Sequence, residues 1–219
     1  MLAPVSRLAS AERASSGAPE ALLVLHHGRG ADERDLLALG DQLDPNRRLY
    51  VVAPRAPMTV PGWPGYHWYA VPRVGYPDPA TFRAAYRALA MLHDQLWERL
   101  GISPARTVLG GFSMGAVMSY ALALAADRPP PAGVLAFSGF VPTVEGWRAE
   151  LERRRDSRVF IAHGRRDGTI PVQFARQARD FLSGAELEVE YHESDAGHSI
   201  ELEALAAATA WLERVLTAG

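Results

Sequence analysis

Continuous apolar runs recur along the chain, each closed by a glycine, a proline or a charged turn. Ala21 to His26, Leu49 to Pro54, Gly133 to Ser138 and Arg158 to His163 are such runs, and Arg106 to Leu109 is a shorter one. Unbroken apolar runs of this length, without polar alternation, belong to strands buried on both faces of a sheet. Between them the period changes from two to about three and a half. Phe82, Tyr86, Leu89, Leu92, Leu96 and Leu100 recur at steps of three or four, after Asp78-Pro79 as cap and first helical residue and before Gly101 as terminator. Asp32, with Asp35 at the third helical position, predicts a helix start ahead of Leu36, Leu37, Leu39 and Leu43. Ala116 to Ala126 is apolar nearly all round, so that helix should be central, and Pro129-Pro130-Pro131 stops it. Pro171 to Phe181, closed by Gly184, and Ile200 to Leu216 complete the clear helices.

Three stretches are less regular. Residues 1–20 are weakly patterned, with Val5 to Leu8 as a short edge strand and Ala14 to Pro19 as a loop. Val141 to Arg155 predicts a polar helix. Leu187 to Tyr191 alternates and predicts a half-exposed edge strand. Residues 55–77 form a long irregular stretch in which Trp63, Tyr66, Trp68, Tyr69 and Tyr76 stand among prolines. A loop of that length is usually functional, and its aromatics argue against disorder. Strand and helix alternate throughout. The expected fold is α/β, a mainly parallel twisted sheet with helices on both faces, whose working residues lie beyond the carboxyl ends of the strands.

Composition narrows the chemistry. The 219 residues, 48% hydrophobic, fit a single domain over 1–219 with a sizeable core. The net charge of −2 points to neither a nucleic-acid surface nor an acidic tail. The absence of cysteine removes disulfides, thiolate metal sites and a cysteine nucleophile. The absence of lysine removes a Schiff base and a Walker-type phosphate lysine. The N-terminal residues lack the pattern of a signal peptide, and no apolar run reaches the roughly 20 residues of a membrane helix. The default expectation is a soluble cytoplasmic protein without membrane insertion.

Gly111-Phe112-Ser113-Met114-Gly115 lies between a predicted strand and a predicted helix, the setting that gives G-x-S-x-G its meaning. A chain of this length shows the pattern by chance about one time in ten, so it counts only with partners. A serine hydroxyl needs a base, a group to orient that base, and donors for the oxyanion. Asp167 follows a strand and His198 sits in the turn before the last helix, which gives the order Ser, Asp, His. His163, His192 and Asp195 are weaker competitors by order or by position. The amide of Met114 and one from the His27-Gly28 turn, by position that of Arg29, are the expected oxyanion donors. A metal site at His192, Glu193, Asp195 and His198 is a rival, but it lacks H-E-x-x-H spacing. A phosphate cradle at His27 to Gly30 lacks a third glycine and a lysine. The 55–77 aromatics serve as packing and as substrate walls, with Trp68 the leading pocket residue.

These motifs together resemble the phospholipase/carboxylesterase branch of the α/β-hydrolases, which includes the acyl-protein thioesterases. The matching segments are His27 to Leu36, Ala53 to Pro57, His67-Trp68-Tyr69, Gly111 to Gly115, His163-Gly164 with Asp167 and Ile170-Pro171, and Gly197-His198-Ser199. The resemblance implies an α/β-hydrolase fold without a large cap domain. It implies a serine esterase that needs no cofactor or metal, acts on small-molecule esters and is compatible with a homodimer. It makes Ser113 the nucleophile, Asp167 the acid, His198 the base, and Arg29 and Met114 the oxyanion amides, with Trp68 and Ile170 flanking the acyl site. Met114 departs from the Gln usual in the thioesterase members, and Arg29 stands where Leu is common. Esterase, thioesterase or lysophospholipase action, acyl transfer or perhydrolysis, and ligand binding without turnover all remain open on this reading.

Overall fold

All seven strands of the computed structural model, which describes residues 8–217, lie in one sheet of order β1-β3-β2-β4-β5-β6-β7. They are β1 (Ser10–Arg13), β2 (Ala21–His26), β3 (Leu49–Pro54), β4 (Thr107–Phe112), β5 (Gly133–Phe137), β6 (Arg158–Gly164) and β7 (Val189–Ser194). Only β1 runs antiparallel, paired to β3 with Ser10 opposite Pro54. The other neighbours are parallel, so their carboxyl ends share one edge. Helices α1 (Leu37–Leu43), α2 (Pro79–Leu100), α3 (Met114–Leu124), α4 (Gln173–Ser183) and α5 (Leu202–Thr217) cover the sheet. The fold is that of an α/β-hydrolase.

The strand period divides the core in two. Leu22, Val24, Leu109, Val134 and Ile161 face α2, α3 and α4. Leu23, Leu25, Val108, Leu135 and Phe160 face α5 and α1. Successive side chains point to opposite faces, so a strand apolar at every position feeds both cores. Helix α3 is buried along its whole length, as its all-round apolar sequence requires. Asp78 caps α2 by accepting from the Thr81 N–H, and Gly101 ends it in the left-handed conformation.

The structure moves several expected elements. The edge strand is Ser10–Arg13 rather than Val5 to Leu8; Val5 to Arg7 lie outside the described residues, and Leu8 is buried coil. Its polar sequence conceals the strand, and Arg13 is buried with Nη2 2.7 Å from Asp44 Oδ2. Asp32 does not cap α1. Its Oδ1 accepts the Arg34 N–H at 2.8 Å, a local turn that delays the helix to Leu37. Val141 to Arg155 is irregular apart from a 3₁₀ turn at Glu152–Arg154: Gly146 takes a φ of +78°, which a right-handed helix cannot hold, and the buried Arg154 donates to the carbonyls of Ala125 and Arg128. The last strand starts at Val189 and is half-buried throughout instead of alternating.

His26 and His93 pack with their rings tilted and 5.6 Å apart in the core between the sheet and α2. Burial holds the His93 imidazole at a pKa of about 3, with the Arg128 charge adding to it. Burial also holds His26 well below its ordinary 6.5, with His93 and His27 contributing. Both folded-state values lie below the unfolded one. Between these values and about pH 6.5 the unfolded chain binds protons that the native state refuses, so stability falls as pH falls through this window. Each histidine contributes on the order of 1 kcal/mol per pH unit. Urea midpoints should therefore drop steeply from pH 7 to pH 5, and His93→Leu should flatten the slope. An equally steep slope in that variant would contradict the assignment.

Candidate active site

Strand β4 ends at Phe112 and α3 begins at Met114, leaving Ser113 alone on the turn between them. Its φ of 56° and ψ of −120° lie where non-glycine residues rarely go. Its N–H donates to Phe137 O at 2.8 Å, which ties the turn to β5. The turn also brings α3 hard against the sheet. A β-carbon on Gly115 would sit 1.9 Å from the His26 carbonyl oxygen, an overlap with backbone that no rotamer relieves. Gly115→Ala should cost at least about 3 kcal/mol. Gly168→Ala, where nothing lies within 4 Å, is the neutral control. Thermal melts compare them, and equal melting temperatures would contradict the packing described.

Asp167 follows β6, and His198 lies in the turn ahead of α5. The structure brings both to Ser113. His198 Nε2 is 2.9 Å from Ser113 Oγ, and its Nδ1 is 2.7 Å from Asp167 Oδ2. The carboxylate only accepts, so the proton sits on Nδ1 and Nε2 is free to accept from the serine hydroxyl. Phe112 packs on the imidazole at a ring separation of 4.7 Å. Burial pushes the Asp167 carboxyl up, but the His198 bond and the N–H groups of Ile170 and Thr169, both 2.8 Å from Oδ1, outweigh it. The group is held below its ordinary 3.8 and stays ionised at neutral pH.

His163 is a residue whose place the sequence does not reveal. Its Nε2 lies 2.7 Å from Ile170 O and 3.2 Å from Asp167 Oδ2. Burial keeps the ring neutral, with its pKa below 6.5. Since Ile170 O can only accept, the single proton is on Nε2 and is donated to Ile170 O, with Asp167 Oδ2 close beside it. The other competitors are engaged elsewhere. His192 bonds Glu190, Glu193 is held by Arg165 and Arg176, and Asp195 pairs with Arg165. Among the described residues no group of three or more metal-ligating side chains converges.

Met114 is the first residue of α3, where an N–H has no intrahelical acceptor. Among the described residues neither its amide nor that of Arg29 finds an acceptor, and both residues line the cavity in front of Ser113. The turn carrying Arg29 is braced from behind. Trp68 Nε1 donates to His27 O at 2.9 Å, and His27 Nε2 accepts the Ala56 N–H at 3.0 Å. Trp68 is therefore not a pocket wall, contrary to the expectation. It is fully buried, and its backbone N–H meets Met114 Sδ at 3.2 Å. The indole N–H bonds His27 O, which holds the ring inward. Ile170 does line the cavity, with Tyr69, Val71, Pro77, Phe112 and Phe140. The cavity holds about 430 Å³.

The model of the phospholipase/carboxylesterase family matches residues 10–216. Acyl-protein thioesterase 1 of Kluyveromyces lactis is 28% identical over 173 residues, 73% of this chain and 71% of the relative. That of Yarrowia lipolytica is 24% identical over 216 residues, 91% of this chain and 93% of the relative. Among solved structures, esterase PE8 is 32% identical with a TM-score of 0.79, covering 96% of this chain and all of its own. The Bacillus cereus carboxylesterase is 20% identical with a TM-score of 0.82, covering 95% and 94%.

Proposed function

The chain belongs to the phospholipase/carboxylesterase family, and on that premise we propose that it hydrolyses small to medium carboxylic esters by double displacement at Ser113. The observation that carries this reading is the unbroken line from Ser113 Oγ through His198 to Asp167, at 2.9 and 2.7 Å, opening onto an apolar-walled cavity. In the first step Ser113 Oγ attacks the ester carbonyl while His198 Nε2 takes its proton. The negative charge that develops on the carbonyl oxygen is met by the Met114 and Arg29 N–H groups. Collapse breaks the bond to the alcohol, which leaves with the proton from His198. Water then attacks the acyl-serine with His198 again as base, releasing the acid and restoring the hydroxyl. Asp167 holds the imidazole in the productive tautomer and steadies its charged form.

Because nitrophenolate is a good leaving group, acylation should outrun deacylation, and two steps through one covalent intermediate then predict a burst. With 4-nitrophenyl acetate, nitrophenolate release should begin with about one equivalent per site before the slower steady rate. A linear trace with no burst even in rapid mixing, together with an enzyme that traps no acyl group, would contradict the reading.

The relatives named acyl-protein thioesterases support a second reading, in which the leaving group is a thiol. The same displacement serves it. A profile with esters and matching thioesters from about two to sixteen carbons separates the two, since a site of this size discriminates over that range. The ester reading predicts highest turnover at about two to eight carbons and ester rates above thioester rates. A maximum near sixteen carbons with thioesters would favour the second.

A further inference from the structure

The walls of the cavity before Ser113 are apolar, but two guanidinium groups stand at its mouth. Arg29 lies 3.9 Å over the Trp63 ring, and Arg73 lies 3.7 Å over the Tyr76 ring. All four residues line the cavity and are exposed. Some other arginines are taken up by carboxylates: Arg55 by Glu33, Arg48 by Glu20 and Glu213, and Arg165 and Arg176 by Glu193. Among the described residues Arg29 and Arg73 have no carboxylate within 4.0 Å. Asp35, which also lines the cavity, pairs with neither.

Stacking uses the face of a guanidinium and leaves its in-plane N–H donors free, in the fork that fits a carboxylate or phosphate. Both groups are also carried on fixed turns. Tyr76 N–H closes the Arg73 turn onto Arg73 O at 3.0 Å. Gly75 takes a φ of +85° there, and a β-carbon on it would come 2.7 Å from Phe174. Phe174 in turn packs on Phe140, a cavity wall, at 5.2 Å. Arg29 rides on the turn that Trp68 braces and that the Gly30 N–H ties to Tyr66 O at 3.0 Å. Much of the ordering cost of an anion clamp is thereby met before a ligand arrives.

We propose that the substrate is an anionic ester, one that carries a carboxylate or similar oxyanion beyond the scissile group, held at the mouth by Arg73 and Arg29. This rests on the hydrolase reading and specifies its substrate class. The anion is on the acyl side or on the alcohol side, and two matched pairs distinguish them. The acyl-side pair is the 4-nitrophenyl monoester of glutaric acid and the corresponding methyl diester, followed by nitrophenolate release. The alcohol-side pair is 4-acetoxybenzoate and its methyl ester. In one pair the anionic member should have kcat/KM about tenfold above its neutral partner, the scale of one charge-assisted hydrogen-bonded contact. That ratio should fall in Arg73→Gln, approach one in the Arg29→Gln/Arg73→Gln double variant, and shrink in about 0.5 M salt, where the Debye length is only a few ångströms.

Taking a ratio within each variant cancels any general loss from a disturbed loop. A wild-type ratio near or below one in both pairs overturns the inference, as does a ratio that survives the double replacement. Turnover of the neutral esters keeps the two claims distinct. If they are cleaved without preference, the anion clamp alone fails. If wild type cleaves none of the four, the hydrolase reading fails and takes the inference with it.

Discussion

Ser113→Ala is expected to lower kcat by about 10⁶-fold, the scale seen when a serine nucleophile is removed from a working triad. The residual rate should stay above that of water alone, because the Met114 and Arg29 amides and the cavity remain. The fold should hardly notice the change. Alanine keeps the β-carbon at the same φ of 56° and removes only the oxygen that bonds His198 Nε2. Ser113→Gly separates strain from chemistry. It should be as inactive as the alanine variant but melt at a higher temperature, since glycine adopts this backbone without the penalty a side chain brings. A glycine variant less stable than the alanine one would show that the turn is not strained.

Asp167→Asn should lower kcat by about 10⁴-fold, and the reason lies in the atoms around it. Oδ1 accepts the N–H groups of Thr169 and Ile170, each at 2.8 Å, so an asparagine must leave its oxygen there. Its NH₂ group then faces His198 Nδ1 and His163 Nε2. His163 cannot yield, because its proton is committed to Ile170 O. His198 must turn its lone pair toward the amide and carry its proton on Nε2, where it can no longer accept from Ser113. The variant should fold, keep KM within a fewfold and lose turnover. A loss in KM alone, with kcat intact, would contradict this role. Steady-state kinetics with a short-chain nitrophenyl ester reads both variants.

Much of this site is legible in the sequence because the parallel strands are buried on both faces. Leu22 to Leu25, Val134 to Phe137 and Val159 to Ala162 read as unbroken apolar runs, and each strand end marks where a working residue belongs. Ser113, Asp167 and His198 follow from that registration. Side-chain direction in loops is not legible in the same way. Trp68 reads as a pocket wall because it stands in an aromatic loop, yet the bond from its indole N–H to His27 O holds it inward. His163 reads as a strand end, and only the return of the chain through Ile170 fixes its proton on Ile170 O and sets the ring beside Asp167. The edge strand Ser10–Arg13 carries no apolar signal, since its arginine is buried by pairing with Asp44. The helix expected over Val141 to Arg155 is broken where Gly146 takes a φ of +78°. The arginines at the mouth are set apart by their place on the cavity, each stacked on a ring that also lines it, which no local pattern encodes.

The central claim is that Ser113 is a nucleophile activated by His198. Incubation with a fluorophosphonate, followed by intact mass and peptide mapping, tests it most directly. The account predicts one adduct per chain, on Ser113, formed far more slowly in Asp167→Asn and absent in Ser113→Ala. A folded wild-type protein that stays unlabelled, or one labelled at another serine, would contradict it.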